Sequence, residues 1–192
     1  MRDFFVENIA KILTVFIPVK GFKRLCRDRI KTFFYGFRII TKAKNIGKNF
    51  VCRDWSYCAK NSVTIKDNVR IGSIKHHGFG QLVIGNYVQI GNDVRIITQN
   101  HNYDEGTKIP FDKGAILKDV IIEDFVWIGS DVVLLPGTTI REGAIIQGGA
   151  VVHGEIPRCS IAGGNPAKVF KYRNIEHFDE LKAKNEFLDY FD

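Results

Sequence analysis

An all-β solenoid is the fold class this sequence predicts, on three observations. Large aliphatic residues recur every six positions, smaller ones follow four positions behind, and turn formers fill the gaps. Ile84, Ile90 and Ile96 carry the first row, as do Ile122, Ile128, Leu134, Ile140, Ile146 and Val152. Val88, Val94, Val126, Val132, Thr138, Ala144, Ala150 and Ile156 form the second. A period of six is not helical, and it is not the period of two that a plain strand shows. It is the period of a short strand plus a corner, so three hexads, about eighteen residues, close one coil of a three-walled prism. The large residue fills the interior and the smaller one packs where walls converge. Gly and Asn in Ile84-Gly85-Asn86 and Ile90-Gly91-Asn92 suit the left-handed backbone of a tight bend. A lone coil leaves its strand edges unpaired, whereas a stack pairs them.

Slips in the register mark where the prism opens. Ile46, Cys52 and Cys58 keep the beat, then one extra residue intervenes before Ile65 and Ile71. A second slip, around Ser73-Ile74-Lys75-His76-His77-Gly78, predicts an irregular turn with Gly78 and Gly80 at a bulge. The widest break separates Ile96 from Ile122 and contains Gln99-Asn100-His101-Asn102-Tyr103-Asp104 and Pro110. That segment is too polar for a wall. Residues 99–118 are expected as a loop extruded from a β-helix domain spanning 43–170, and loops on a rigid scaffold are where chemistry tends to sit.

Both ends read as helix. Phe5, Ile9, Ile12, Leu13 and Phe16 follow helical spacing up to Pro18, and Phe22, Leu25, Ile30, Phe33 and Phe37 resume it. Lys20, Lys23, Arg24, Arg27 and Lys31 lie opposite. Residues 1–42 are therefore expected as an N-terminal amphipathic helical segment, able to pack as a cap or to lie on an anionic membrane surface. Lys11 interrupts the first apolar run, which is too short to cross a bilayer, and Asp3 and Glu7 spoil it as a signal peptide. Ile175, Phe178, Leu181, Leu188 and Phe191 outline a C-terminal cap helix within 171–192, over an end coil whose edges need cover.

A formal charge of +7 favours anionic partners. No nucleic-acid-binding motif accompanies it, so a phosphorylated small molecule is the economical partner and nucleic acid is not expected. Cys26, Cys52, Cys58 and Cys159 show neither metal-ligand nor redox spacing. Cys52 and Cys58 occupy consecutive inward slots on different walls, and buried thiols suit a cytoplasmic chain.

From about Ile46 to Arg173 the chain resembles the hexapeptide-repeat acyltransferases, above all the maltose and galactoside O-acetyltransferases and those of bacterial capsule, O-antigen and colanic acid. The resemblance is strongest in Ile122-Glu123-Asp124-Phe125-Val126-Trp127-Ile128-Gly129, in Leu135-Pro136-Gly137 and in Gly164-Asn165-Pro166-Ala167-Lys168. It implies a left-handed parallel β-helix, a homotrimer with sites between subunits, acetyl-CoA as co-substrate and no metal. It also implies that a loop histidine, here His101, is the catalytic base. Trp127 follows the inward Val126, so by spacing its indole leaves the wall, and the resemblance places it near the coenzyme A arm. By the same resemblance, cofactor contacts fall on Ser130, Gly148, Lys168 and Lys171. The family's frequent Thr-Lys pair is His153-Gly154 here, so Lys168, Lys171 and Arg173 are expected to meet the phosphates. Acceptor contacts are expected from Ser73, His76 and His77 at the second slip and from Asp104 in the loop. Val133, outward like Trp127, suits the packing of one copy on another.

The implied reaction is acetyl transfer from acetyl-CoA to a sugar hydroxyl in bacterial surface polysaccharide biosynthesis. His101 would take the hydroxyl proton, backbone N–H groups would hold the oxyanion, and the imidazolium would protonate the leaving thiolate. No nucleophile elbow precedes it and no cysteine lies near His101 in sequence, which disfavours an acyl-enzyme. The alternative is N-acetyl transfer to a nucleotide-linked amino sugar on the same fold. A non-catalytic scaffold leaves the polar loop unexplained. A zinc carbonic anhydrase-like site needs converging histidines, and adjacent His76 and His77 point apart on a strand.

Overall fold

The computed structural model describes Gly36 and residues 39–188. The helical segment expected over 1–42 lies almost wholly outside these residues, as do Cys26 and Phe191.

Three parallel sheets form the walls of a prism. The first wall stacks Asn45–Ile46, Val63–Ile65, Leu82–Ile84, Val120–Ile122, Thr139–Ile140 and Glu155–Ile156. The second stacks Val51–Cys52, Arg70–Ile71, Gln89–Ile90, Trp127–Ile128, Ile145–Ile146 and Ser160–Gly163. The third stacks Ile74–His77, Val94–Ile97, Val133–Leu134 and Val151–Val152, with Tyr57 bridging to Lys75 below them.

Register turns the six-residue beat into columns. On the first wall Ile46, Ile65, Ile84, Ile122, Ile140 and Ile156 stand one above another. Cys52, Ile71, Ile90, Ile128, Ile146 and Ala162 do so on the second. All but the lowest, half-buried Ile46, are buried. Each large member contributes on the order of 2 kcal/mol through burial, and β-branched Ile fits the pleated wall. The second row is buried too, at Val88, Val126, Val132, Thr138, Ala144 and Ala150. Coils approach closely where Gly follows the column. A Cβ at Gly129 would lie 2.6 Å from the backbone nitrogen of Gly148.

Three expectations are corrected. Ile156 pairs with Ile140 and so belongs to the main column, not to the corner row. The coil is shortened at His153-Gly154, where Gly154 turns with φ +70°. Ile74–His77 is a regular wall strand, not an irregular turn, and the slack lies at Gly78 to Gln81. Finally, the edge of the last coil on the second wall is covered by an antiparallel strand, Lys168–Tyr172, paired with Ser160–Gly163. The C-terminal helix, Ile175–Ala183, packs on the corner between the first and second walls, where Phe178 and Lys182 both meet Phe125. Asn174 caps it, its Oδ1 accepting from the His177 N–H at 3.0 Å.

That corner explains the helix's path. Tyr87 and Phe125 both adopt left-handed backbone there, with φ of 55° and 59°, where Asn49 and Asn68 do so in earlier coils. A non-Gly residue in this conformation costs about 1 kcal/mol, which aromatic contact offsets. The rings of Tyr87 and Phe125 stack with centroids 5.4 Å apart, and Phe187 packs on both. Phe178 meets Phe125 edge-on and lies beneath the guanidinium groups of Arg158 and Arg173. Arg158 also joins Glu142 to Asp179, tying the helix to the prism. No helix among the described residues is long and apolar enough to cross a membrane.

Candidate active site

The break after Ile96 is an arm with its own order. Gln99–His101 pairs antiparallel with Ala115–Leu117, so His101 faces Ala115 across a two-stranded ribbon that leaves the third wall at Thr98. Asp112 organises the tip, accepting from the N–H groups of Thr107 and Gly114 at 3.1 and 2.7 Å. The imidazole of His101 is exposed and lies against the ring of Phe111, centroids 3.8 Å apart. Asp104 is exposed in the same arm.

At the root of the ribbon, His77, Phe79, Ile97, Gln99 and His101 line a cleft of about 280 Å³. The His77 imidazole faces outward, 2.8 Å through Nδ1 from the Tyr57 hydroxyl. Partial burial and the neighbouring Arg95 and Lys75 charges lower its pKa, which favours the neutral ring. Gln99 has its Oε1 buried without a hydrogen-bond partner among the described residues. Sequence reading passed over Gln99; its adjacency to Asn100-His101 was the available signal.

His76 and Ser73 do not join this cleft. His76 sits in the inward column, opposite Ile96 and 1% exposed, and Ser73 is 3% exposed with its Oγ accepting from the Asp93 N–H at 2.7 Å. Both are corrected to interior residues: alternation along Ile74–His77 turns His76 inside, and Ser73, just before that strand, is buried where it holds the Asp93 N–H. His76 and His77 therefore point to opposite faces of the wall.

A larger cavity, about 860 Å³, opens on the outer face of the second wall under the C-terminal helix. Trp127, 56% exposed, stands in its floor between Gln89 and Ile145, and Ser130 and Arg173 line it too. Arg53 and Arg70 add positive charge at the lower coils. Ser130 Oγ accepts from the Asn92 N–H at 3.1 Å, and Arg173 donates to the Gly143 carbonyl at 3.1 Å. Gly148 and the exposed Lys168 and Lys171 lie outside this lining. Lys171 shares the outward row of Trp127, Ile145 and Ile161, about 14 Å from Trp127 at ~4.8 Å per strand. The cleft at His101 and the cavity at Trp127 share no lining residue, since the third wall separates them.

The parallel walls and hexad columns agree with relatives of known class. Residues 119–154 match the model of the bacterial transferase hexapeptide, six repeats. The putative lipopolysaccharide biosynthesis O-acetyl transferase WbbJ of Escherichia coli (strain K12) is 30% identical over 177 residues, covering 81% of this chain and 90% of that protein. The chain belongs to the hexapeptide-repeat acetyltransferases. Its fold is that family's left-handed parallel β-helix with a C-terminal helix, and the enzyme is of the acetyl-CoA-dependent class. Among solved structures, the hexapeptide-repeat containing acetyltransferase VCA0836 from Vibrio cholerae superposes with a TM-score of 0.64 at 20% identity, over 90% of this chain and 93% of that one. A galactoside acetyltransferase in complex with coenzyme A does so with a TM-score of 0.58 at 22% identity, over 97% and 86%. At such identities these structures speak for the fold of the acetyltransferase.

Proposed function

We propose that this acetyltransferase moves the acetyl group of acetyl-CoA to a hydroxyl of a sugar acceptor in bacterial surface polysaccharide biosynthesis, with His101 as general base. The observation that carries the reading is His101 itself, an exposed imidazole on a paired ribbon beside a cleft that His77, Gln99 and Asn100 also line. The imidazole takes the proton as the hydroxyl oxygen attacks the thioester carbonyl. The C–S bond then breaks, and the imidazolium returns its proton to the departing thiolate. His77, Gln99 and Asp104 supply polar groups for the acceptor.

Trp127, Ser130 and Arg173 are proposed to hold coenzyme A, with Gly148 leaving room for it and Lys168 and Lys171 meeting its phosphates. Base and donor residues lie on different faces of one prism, so one chain does not assemble both halves of the site. That separation supports a site shared between subunits of a homotrimer, the His101 cleft of one against the Trp127 face of the next. A cytoplasmic site of action follows from the use of acetyl-CoA.

Purified protein incubated with acetyl-CoA and a panel of free, nucleotide-linked and lipid-linked sugars tests the reading. Thiol release accompanied by an alkali-labile acetyl product supports it. An alkali-stable amide points to an amino sugar, and thiol release unchanged by any sugar overturns it.

A further inference from the structure

His76 is an anomaly of its column. On the third wall Cys58, Ile96, Leu134 and Val152 occupy the inward slot, and an imidazole takes the place beside Ile96. It is 1% exposed in a hydrocarbon interior, where a polar ring is costly unless hydrogen-bonded. Burial and the neighbouring His77 push its pKa down to about 4, so the ring is neutral.

Its bonds say what it does there. Nε2 lies 3.0 Å from Oγ1 of Thr98, itself fully buried. Thr98 Oγ1 also lies 3.2 Å from the His77 carbonyl; with its one proton given to that carbonyl, it accepts from the Nε2–H tautomer of His76. Thr98 is where the ribbon joins the prism. Its N–H donates to the His77 carbonyl at 2.9 Å, and its own carbonyl accepts from Lys118 on the returning side at 3.0 Å. The fit is close: a Cβ at Gly78 would come within 2.7 Å of the Gln99 Cβ, and one at Gly80 within 2.6 Å of the Thr98 carbonyl oxygen. In the next coil the register puts Pro136 level with Thr98 and Thr138 level with Val120, and Thr138 closes that corner by bonding to two carbonyls, with no histidine. The coil closes without such an anchor; the difference at Thr98 is the ribbon.

We propose that His76 is a positioning residue, which from inside the prism holds Thr98 and so sets the strand that carries His101. This rests on His101 as the base. Removing His76 leaves no donor orphaned, since Ser62 Oγ, 3.4 Å from Nδ1, donates to the Ala59 carbonyl. His76→Leu therefore restores an ordinary column and is expected to fold.

The experiment compares wild type with His76→Leu, His76→Gln, Thr98→Val, the double variant and His101→Ala, by steady-state kinetics and amide hydrogen exchange. His76→Leu should lower kcat at least tenfold with the KM for acetyl-CoA unchanged, because small misplacement of a reacting group is costly. Gln, which can donate to Thr98, should recover part of the loss. Thr98→Val should match His76→Leu, and the double variant should be no worse than either. Exchange should quicken in Gln99–His101 and Ala115–Leu117 and stay unchanged in the walls. Unchanged ribbon exchange in His76→Leu and Thr98→Val overturns the anchor, whatever His101 does. Wild-type kcat in His101→Ala overturns the base instead, and the exchange result still decides the anchor.

Discussion

The imidazole of His101 lies flat on the ring of Phe111, with centroids 3.8 Å apart and planes 11° from parallel. Both belong to the arm between the third and first walls, so the arm supplies its own platform for the histidine. Stacking restrains rotation of the ring about its Cβ–Cγ bond and leaves both nitrogens at the edge of the stack.

The first prediction follows from that pair. His101→Ala should lower acetyl transfer by roughly 10²–10⁴-fold, the usual reach of general base catalysis. Phe111→Ala should cost less, about tenfold, and should act on kcat. Thermal unfolding should shift little in either variant, since both side chains lie outside the core. Turnover of His101→Ala near the wild-type rate would remove it from the mechanism.

Gln99 gives the second prediction. Gln99→Ala should raise the KM for the sugar acceptor several-fold while the KM for acetyl-CoA stays put, because Gln99 lines the cleft and not the Trp127 cavity. Equal effects on both constants would place the acceptor elsewhere.

Much of this was legible in the sequence. The isoleucine columns were readable because Ile122, Ile128, Leu134, Ile140 and Ile146 keep an unbroken beat, which only a repeating coil satisfies. The extruded arm was readable because its polar composition cannot line the interior. His76 was misplaced because a slip at Gly78 to Gln81 hides the register of the strand before it, and an aliphatic slot holding a histidine carries no sequence signal. The path of the C-terminal helix was hidden for a related reason. Tyr87 and Phe125 read as spacers between slots, and their role as its seat emerges only when the coils bring them together at 5.4 Å.

That seat yields the third prediction. Phe178 is largely buried against Cys159, Gly143 and Phe125 and lies under two guanidinium groups. Phe178→Ala should destabilise the protein by about 3 kcal/mol, within the range for a large aromatic truncated in a core. It should also loosen the wall of the Trp127 cavity, raising the KM for acetyl-CoA. A melting temperature within a degree of wild type would show that the helix is not held there.

The fourth prediction concerns assembly. Trp127 is exposed in the monomer, with Val133 half-buried on the next wall. Sedimentation at micromolar concentration should give a trimer. Mixing His101→Ala with Trp127→Ala subunits should restore part of the activity, since mixed trimers regain intact pairings of cleft and donor face. A monomer with full activity would sink both the trimer and the shared site.

The last prediction is a pH dependence that His76 imposes on stability. Its folded-state pKa is about 4, below the ordinary histidine value of about 6.5, so the unfolded chain binds its proton first as pH falls. Between those values the unfolded state holds more protons than the native one, and stability rises with pH wherever that is so. Above about pH 6.5 the ring is neutral in both states and contributes no pH dependence. Below it the native state must either exclude the proton or admit a cation into a hydrocarbon interior, and the penalty grows until about pH 4. A shift of this size corresponds to on the order of 3 kcal/mol. The comparison is a difference between variant and wild type, in which every other titrating group cancels. His76→Leu should melt close to wild type, or above it, at pH 7.5 and should gain on wild type steadily down to pH 4.5. Two melting curves that fall in parallel over this range would mean that His76 meets its proton equally in both states, and that the ring is not enclosed as the structure places it.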